Sequence, residues 1–177
     1  MDVILSLGSN LGDRLAHLAR AREALAHLPQ TRLVASSRVY ITEPVDVPLA
    51  SSELEFFNAI VILETTLEAH AFSDAVHATE ERLGRRRGAE RNAPRVIDID
   101  LVCCDSLVMN EPALQLPHPR AHLRRFVCEP LAELRPNLVL PGQLLPIRAI
   151  LAHLPVTPAV SIAAEQWPLN AERGMRS

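Results

Sequence analysis

The chain has 177 residues, 48% of them hydrophobic, and a net charge of −3. Such a length and apolar content fit one domain with its own core and exclude disorder as the overall state. The charge excludes a general affinity for nucleic acid or anionic membrane, and no apolar run reaches the length of a membrane span.

Residues 2–8 read as a buried strand through Val3, Ile4, Leu5 and Leu7. Gly8-Ser9-Asn10-Leu11-Gly12 follows. It has neither the glycine spacing of a dinucleotide fingerprint nor the lysine of a P-loop, so it reads as a strand-to-helix turn, with Asn10 or Gly12 near the helix cap. Leu15, Leu18, Ala19, Leu25 and Leu28 have helical spacing over 12–28, and Pro29 stops that helix. Residues 31–42 form the next expected strand, and Glu43 to Glu55 a long loop holding Pro44 and Pro48. Phe56 to Thr65 is a strong central strand, and Leu67 to Leu83 a helix closed by Gly84. A second long loop, basic throughout, runs from Arg85 to Val96, and a strand runs from Ile97 to Cys104. Beyond it stand an extended Pro117-His118-Pro119 segment and two helices, Arg125 to Leu134 and Leu145 to Leu154. From Pro155 no periodicity remains, so the reading is one domain over 1–154 and an extended tail, of open role, over 155–177. The order β-α-β-β-α-β through residue 104 predicts an α+β, ferredoxin-like βαββαβ core with long loops and added C-terminal helices.

The chemistry concentrates in Arg91-Asn92-Ala93-Pro94-Arg95-Val96-Ile97-Asp98-Ile99-Asp100. Alternation along a strand puts Asp98 and Asp100 on one face and Ile97, Ile99 and Leu101 on the other. Carboxylates do not belong half-buried without partners, and Arg85, Arg86, Arg87, Arg91 and Arg95 stand just before them. Paired carboxylates suit magnesium, and guanidinium groups suit phosphate. All 18 cations are Arg, so phosphate binding must rest on Arg, metal and backbone rather than on a Walker lysine. The bland alternative is an edge strand that blocks pairing with its charges. Cys103, Cys104 and Cys128 lack zinc-ligand spacing and are expected as buried free thiols. His70 and His77 share a helix without a third ligand, which is too little for a metal site.

Four segments together resemble one family. They are Leu7-Gly8-Ser9-Asn10-Leu11-Gly12-Asp13-Arg14, Phe56-Phe57-Asn58-Ala59, the stretch from Glu80 to Asp100, and Leu116-Pro117-His118-Pro119-Arg120 with Arg124-Arg125-Phe126. The chain resembles the 6-hydroxymethyl-7,8-dihydropterin pyrophosphokinases over roughly residues 3 to 140. The resemblance implies transfer of pyrophosphate from ATP to the hydroxymethyl group of a dihydropterin in folate biosynthesis, with two magnesium ions and release of AMP. By position it implies Asp98 and Asp100 as magnesium ligands and Arg85 and Arg95 as catalytic-loop arginines. Glu80, Arg87, Arg91, His118 and Arg124 would hold ATP. Thr42, Pro44, Val45, Phe56, Asn58 and Phe126 would form the pterin pocket, the two rings stacking and Asn58 offering donor and acceptor. A cytoplasmic monomer is expected, since the N-terminus lacks the features of a secretory signal. The chain departs from the family at Asp46, His77, Asn92, Ala93 and Leu123, none of them a metal ligand or main arginine. Two rivals remain: a non-catalytic ferredoxin-like module binding a nucleotide or small molecule, and an RNA-binding domain of the same topology.

Overall fold

A strand that is apolar on both faces must lie between two layers. Asp2–Ser9 (β1) and Phe56–Thr65 (β4) have that character, and in the computed structural model they are the paired centre of the main sheet. The structure describes residues 1–42, 55–85 and 95–168. Its remaining elements are α1 (Arg14–Ala26), β2 (Thr31–Ser36), β3 (Val39–Thr42), α2 (Ala69–Arg82), β5 (Asp98–Cys104), β6 (Met109–Asn110), β7 (Gln115–Leu116), a 3₁₀ turn (Ala121–Leu123), α3 (Arg125–Leu134), α4 (Ile147–His153) and β8 (Val160–Ala164). The main sheet runs β5-β1-β4-β3-β8, with β2 also paired to β4, and every pairing is antiparallel. Through β5 this is the expected split-βαβ arrangement.

Odd-numbered Val3, Leu5, Leu7, Val61 and Leu63 bury against Leu18 and Leu25 of α1 and Phe72 and Val76 of α2. Even-numbered Ile4, Ile60 and Ile62 bury against Val127 and Leu131 of α3 and Ile147 of α4. The chain therefore forms three layers around two apolar cores. Ile99 and Leu101 belong to the α1/α2 core, so Asp98 and Asp100 face the α3 side.

Three sequence expectations change. The strand expected over 31–42 divides at Ser37, because its hydroxyl accepts the Ile60 N–H at 2.9 Å in place of a ladder carbonyl. The cap of α1, expected near Asn10 or Gly12, falls one residue after Gly12 at Asp13, whose carboxylate accepts the Ala16 N–H at 3.1 Å. The expected tail contributes β8, which pairs with β3 along the sheet edge, and the Trp167 indole donates to the Ser37 carbonyl at 2.8 Å. No apolar periodicity announced β8, because as an edge strand it buries little of either face. The three cysteines are buried free thiols, and burial pushes Cys103 up to about 12.

Candidate active site

The β1 strand ends between two partners. Gly8 stands opposite Asp98 of β5 on one side and Asn58 of β4 on the other. Strands neighbour one another at about 4.8 Å, so Asp98 and Asn58 stand about 10 Å apart across a residue with no side chain. A Cβ at Gly8 would come within 3.3 Å of Asn58 Oδ1 and 3.9 Å of Asp98 Cβ. Glycine thus keeps a slot open between a carboxylate and an amide. Asn58 is buried, and its Nδ2 donates to Thr42 Oγ1 at 2.7 Å, which orients the amide from β3. Phe56 lies two residues along on the same face and belongs to neither core cluster, while Phe126 of α3 leans on the second core.

Around the carboxylate end, charges converge from three elements. Arg85 Nη1 lies 2.7 Å from Asp98 Oδ1, and Arg95 Nη1 donates to Asp98 Oδ2 at 2.8 Å. Arg124 Nη1 lies 3.6 Å and His118 Nε2 4.0 Å from Asp100 Oδ2. Burial, reinforced by the charge of Asp98, pushes Asp100 up to about 6 against the pull of Arg124. Burial, with Arg124 and Arg120 nearby, pushes His118 down to about 4. The Arg120 N–H donates to His118 Nδ1 at 3.1 Å, so the neutral ring carries its proton on Nε2, toward Asp100.

Glu80, expected to hold ATP, is tied into the site through Arg85 and β5. It is 1% exposed, accepts the Ile99 N–H at 2.6 Å and pairs with Arg85. Burial pushes it up to about 7 against the pull of Arg85. Enclosed this way, its carboxylate meets Arg85 and strand β5. The structure therefore brings together Arg85, Arg95, Asp98, Asp100, His118 and Arg124 at one end of the sheet, with Thr42, Phe56, Asn58 and Phe126 on the same face. Pro44, Val45, Arg87 and Arg91, with the departures Asp46, Asn92 and Ala93, lie outside the described residues. Sequence reasoning missed Gly8 and Asn10, which it read as turn residues. The signal that could have found them is position: Gly8 lies at the end of a strand that must run beside the acidic one, and Asn10 just beyond it.

This donor set fits magnesium bound together with phosphate. Two hard carboxylates share a face, and Asp98 Oδ1 is buried without a hydrogen bond although a guanidinium lies beside it. Among the described residues no three His, Cys, Asp or Glu side chains gather into a cage. Magnesium held by one or two carboxylates completes its shell with water and phosphate oxygens, so no cage is needed.

The family described as 7,8-dihydro-6-hydroxymethylpterin-pyrophosphokinase matches residues 4–136. The chain is 41% identical over 150 residues to a 2-amino-4-hydroxy-6-hydroxymethyldihydropteridine pyrophosphokinase of Methylorubrum extorquens, covering 85% of this chain and 91% of that one. It is 37% identical over 145 residues to the protein of the same name from Pseudomonas aeruginosa, covering 81% and 87%. In fold it is similar to a crystal structure of Plasmodium falciparum HPPK-DHPS, with a TM-score of 0.62 at 13% identity over 85% of this chain. The chain spans only 42% of that longer protein, and the likeness is one of fold. No helix among the described residues is long and apolar enough to cross a membrane.

Proposed function

We propose a function from one premise: the chain belongs to the 7,8-dihydro-6-hydroxymethylpterin-pyrophosphokinase family. The protein is an ATP-dependent pyrophosphokinase that acts on 6-hydroxymethyl-7,8-dihydropterin in folate biosynthesis and releases AMP. The observation that carries this reading is the open row Asp98–Gly8–Asn58, with a carboxylate at one end and an amide at the other. A pterin placed along it presents its amide-like edge to Asn58 and Thr42 and its hydroxymethyl arm to the acidic end. Phe56 and Phe126 supply ring surfaces for the flat heterocycle, while Pro44 and Val45 complete the pocket.

Asp98 and Asp100 would hold two magnesium ions, which would neutralise the triphosphate. The pterin hydroxymethyl oxygen forms a bond to the β-phosphorus of ATP and gives up its proton to solvent. The bond from that phosphorus to the bridging oxygen breaks, and AMP leaves with the oxygen. Phosphoryl transfer asks the protein for positioning and charge neutralisation more than covalent chemistry. Arg85 and Arg95 supply fixed positive charge against the transferring group. Arg124 and His118 with its Nε2–H hold ATP oxygens beside Asp100, and Arg87 and Arg91 are assigned to ATP by the family pattern. Glu80 acts through Arg85, whose guanidinium it keeps beside Asp98. The working species is a cytoplasmic monomer.

The test is AMP release from ATP and magnesium, with and without 6-hydroxymethyl-7,8-dihydropterin. The expected result is pterin-dependent AMP without ADP. Bound ATP with no AMP would move the chain to the binding-module reading. Affinity for single-stranded RNA that falls steeply with salt would move it to the RNA-binding one.

A further inference from the structure

We infer that Asn10 is a positioning residue for Arg95, fixing the backbone from which that arginine reaches the reacting centre; the inference rests on the function proposed above. Asn10 lies just beyond β1, two residues after the glycine of the open row, and is 2% exposed. Its Oδ1 accepts the Arg95 N–H at 2.8 Å, and its own N–H donates to the Arg95 carbonyl at 3.3 Å. One residue thus engages both main-chain groups of the arginine.

The arrangement replaces a missing stretch of sheet. The β1–β5 ladder has its last pair at Gly8 and Asp98, so Arg95 stands three residues outside regular pairing. Asn10 resumes the pairing with its N–H, as a strand would, but supplies the reciprocal acceptor from its side chain. A backbone carbonyl would demand that both strands run on. A side-chain amide lets β1 turn away toward α1 while Arg95 stays held. From that fixed backbone the guanidinium reaches Asp98 Oδ2 at 2.8 Å.

The clamp also leaves polar atoms unmatched. Among the described residues, Asn10 Nδ2 and the neighbouring Ser9 Oγ are buried without a hydrogen-bond partner. Buried polar groups are ordinarily paired, so this is a poor solution for stability alone. It is a good one for holding a catalytic arginine whose own side chain must stay free to meet phosphate. The other end of the same segment is secured differently, since Glu80 accepts the Arg85 N–H through its main-chain carbonyl at 3.0 Å and pairs with the guanidinium through its carboxylate.

The experiment is a double-variant cycle on pterin-dependent AMP formation, using Asn10→Ala, Arg95→Ala and both together. Misplacement of a catalytic group by an ångström can cost on the order of 100-fold. Asn10→Ala is therefore expected to lower kcat about 10- to 100-fold, with KM for ATP changed less than about threefold. In the Arg95→Ala background the same substitution is expected to change kcat less than about twofold, because the group it positions is gone. Equal losses in both backgrounds, or a loss carried mainly by KM, would overturn the inference. Asn10→Asp keeps the acceptor for the Arg95 N–H and is expected to turn over faster than Asn10→Ala. Should Asn10→Ala not fold, the Asp variant carries the cycle, and kcat as low as that of Arg95→Ala would count against the inference. Wild-type protein that makes no AMP would overturn the proposed function itself; wild-type turnover with independent losses would overturn only the role of Asn10.

Discussion

Two arginine–carboxylate clusters sit on the same face of this sheet, and they are built oppositely. In the one beside β8, the Tyr40 hydroxyl donates to Glu133 Oε2 at 2.8 Å, Arg38 Nε lies 3.3 Å from the same oxygen, and the Arg38 N–H donates to Glu133 Oε1 at 3.1 Å. Arg38 also reaches Glu165 at 3.5 Å. Every charge there has a partner of opposite sign or a donor. In the cluster at the end of β5, Asp98 and Asp100 oppose each other, Asp100 is pushed up to about 6, and Asp98 Oδ1 lacks a hydrogen bond. Its arginines come from just after α2, from just before β5 and from just before α3. Mutual satisfaction marks an arrangement that holds the fold. Neighbouring like charges, one of them with a raised pKa, converging on one end of the sheet mark one that awaits a ligand.

The widest separation between the two comes from removing a carboxylate. Asp98→Asn or Asp100→Asn is expected to cut pterin-dependent AMP formation by about 1,000-fold or more, since each removes a charge proposed to hold metal. In Asp100→Asn the melting temperature should stay level or rise, because burial and the neighbouring carboxylate disfavour the charged form of Asp100. Turnover near wild type in either variant would remove the metal assignment. A melting temperature lowered by many degrees would place these acids among the structural ones.

A smaller effect is expected from Gly8→Ala, because the added methyl fills the slot rather than removing chemistry. Its Cβ would stand 3.3 Å from Asn58 Oδ1, so the amide proposed to recognise the pterin must shift. KM for the pterin should rise about tenfold, the scale of one misplaced recognition bond, with KM for ATP little changed. An unchanged KM for the pterin would show that the substrate does not lie along this row.

How much of this was legible follows from the same contrast. The reactive acids could be read because two aspartates in a β-branched run violate strand patterning, and a local violation needs no tertiary knowledge to be seen. The elements up to β5 and the helices α3 and α4 could be read from periodicity. Glu133 could not, because its helix position says nothing of a tyrosine on β3, 93 residues away. Gly8 and Asn10 looked like turn residues because their roles come from register: which residue of β5 and of β4 each one meets. Glu80 was placed with the nucleotide by position in the family pattern, and only packing shows its carboxylate turned inward to Arg85 and Ile99.

In the structural cluster the ordering of effects reverses. Glu133→Ala leaves the buried Tyr40 hydroxyl without its acceptor, which costs about 1–3 kcal/mol. For a domain of this size that is a fall of several degrees in melting temperature. Turnover should stay within about twofold of wild type. A large loss of activity without loss of stability would join the two clusters into one functional unit.

The smallest expected effect is also the most specific. Burial, with the Glu133 charge beside it, pushes Tyr40 from 10 up to about 12. The folded chain therefore keeps a proton that the unfolded chain releases near pH 10. Where the unfolded state binds fewer protons, stability falls as pH rises. The contribution of Tyr40 is thus fully present below about pH 10 and is lost progressively toward pH 12. Melting temperatures measured between pH 9 and 11 should decline less steeply in Tyr40→Phe than in wild type, because phenylalanine has no proton to lose. The two slopes should converge in a Glu133→Gln background, where the charge that helps raise Tyr40 is gone. Parallel slopes for wild type and Tyr40→Phe would mean that the hydroxyl is not held by Glu133 in solution, and the β8-side cluster would lose its claim to be the satisfied member of the pair.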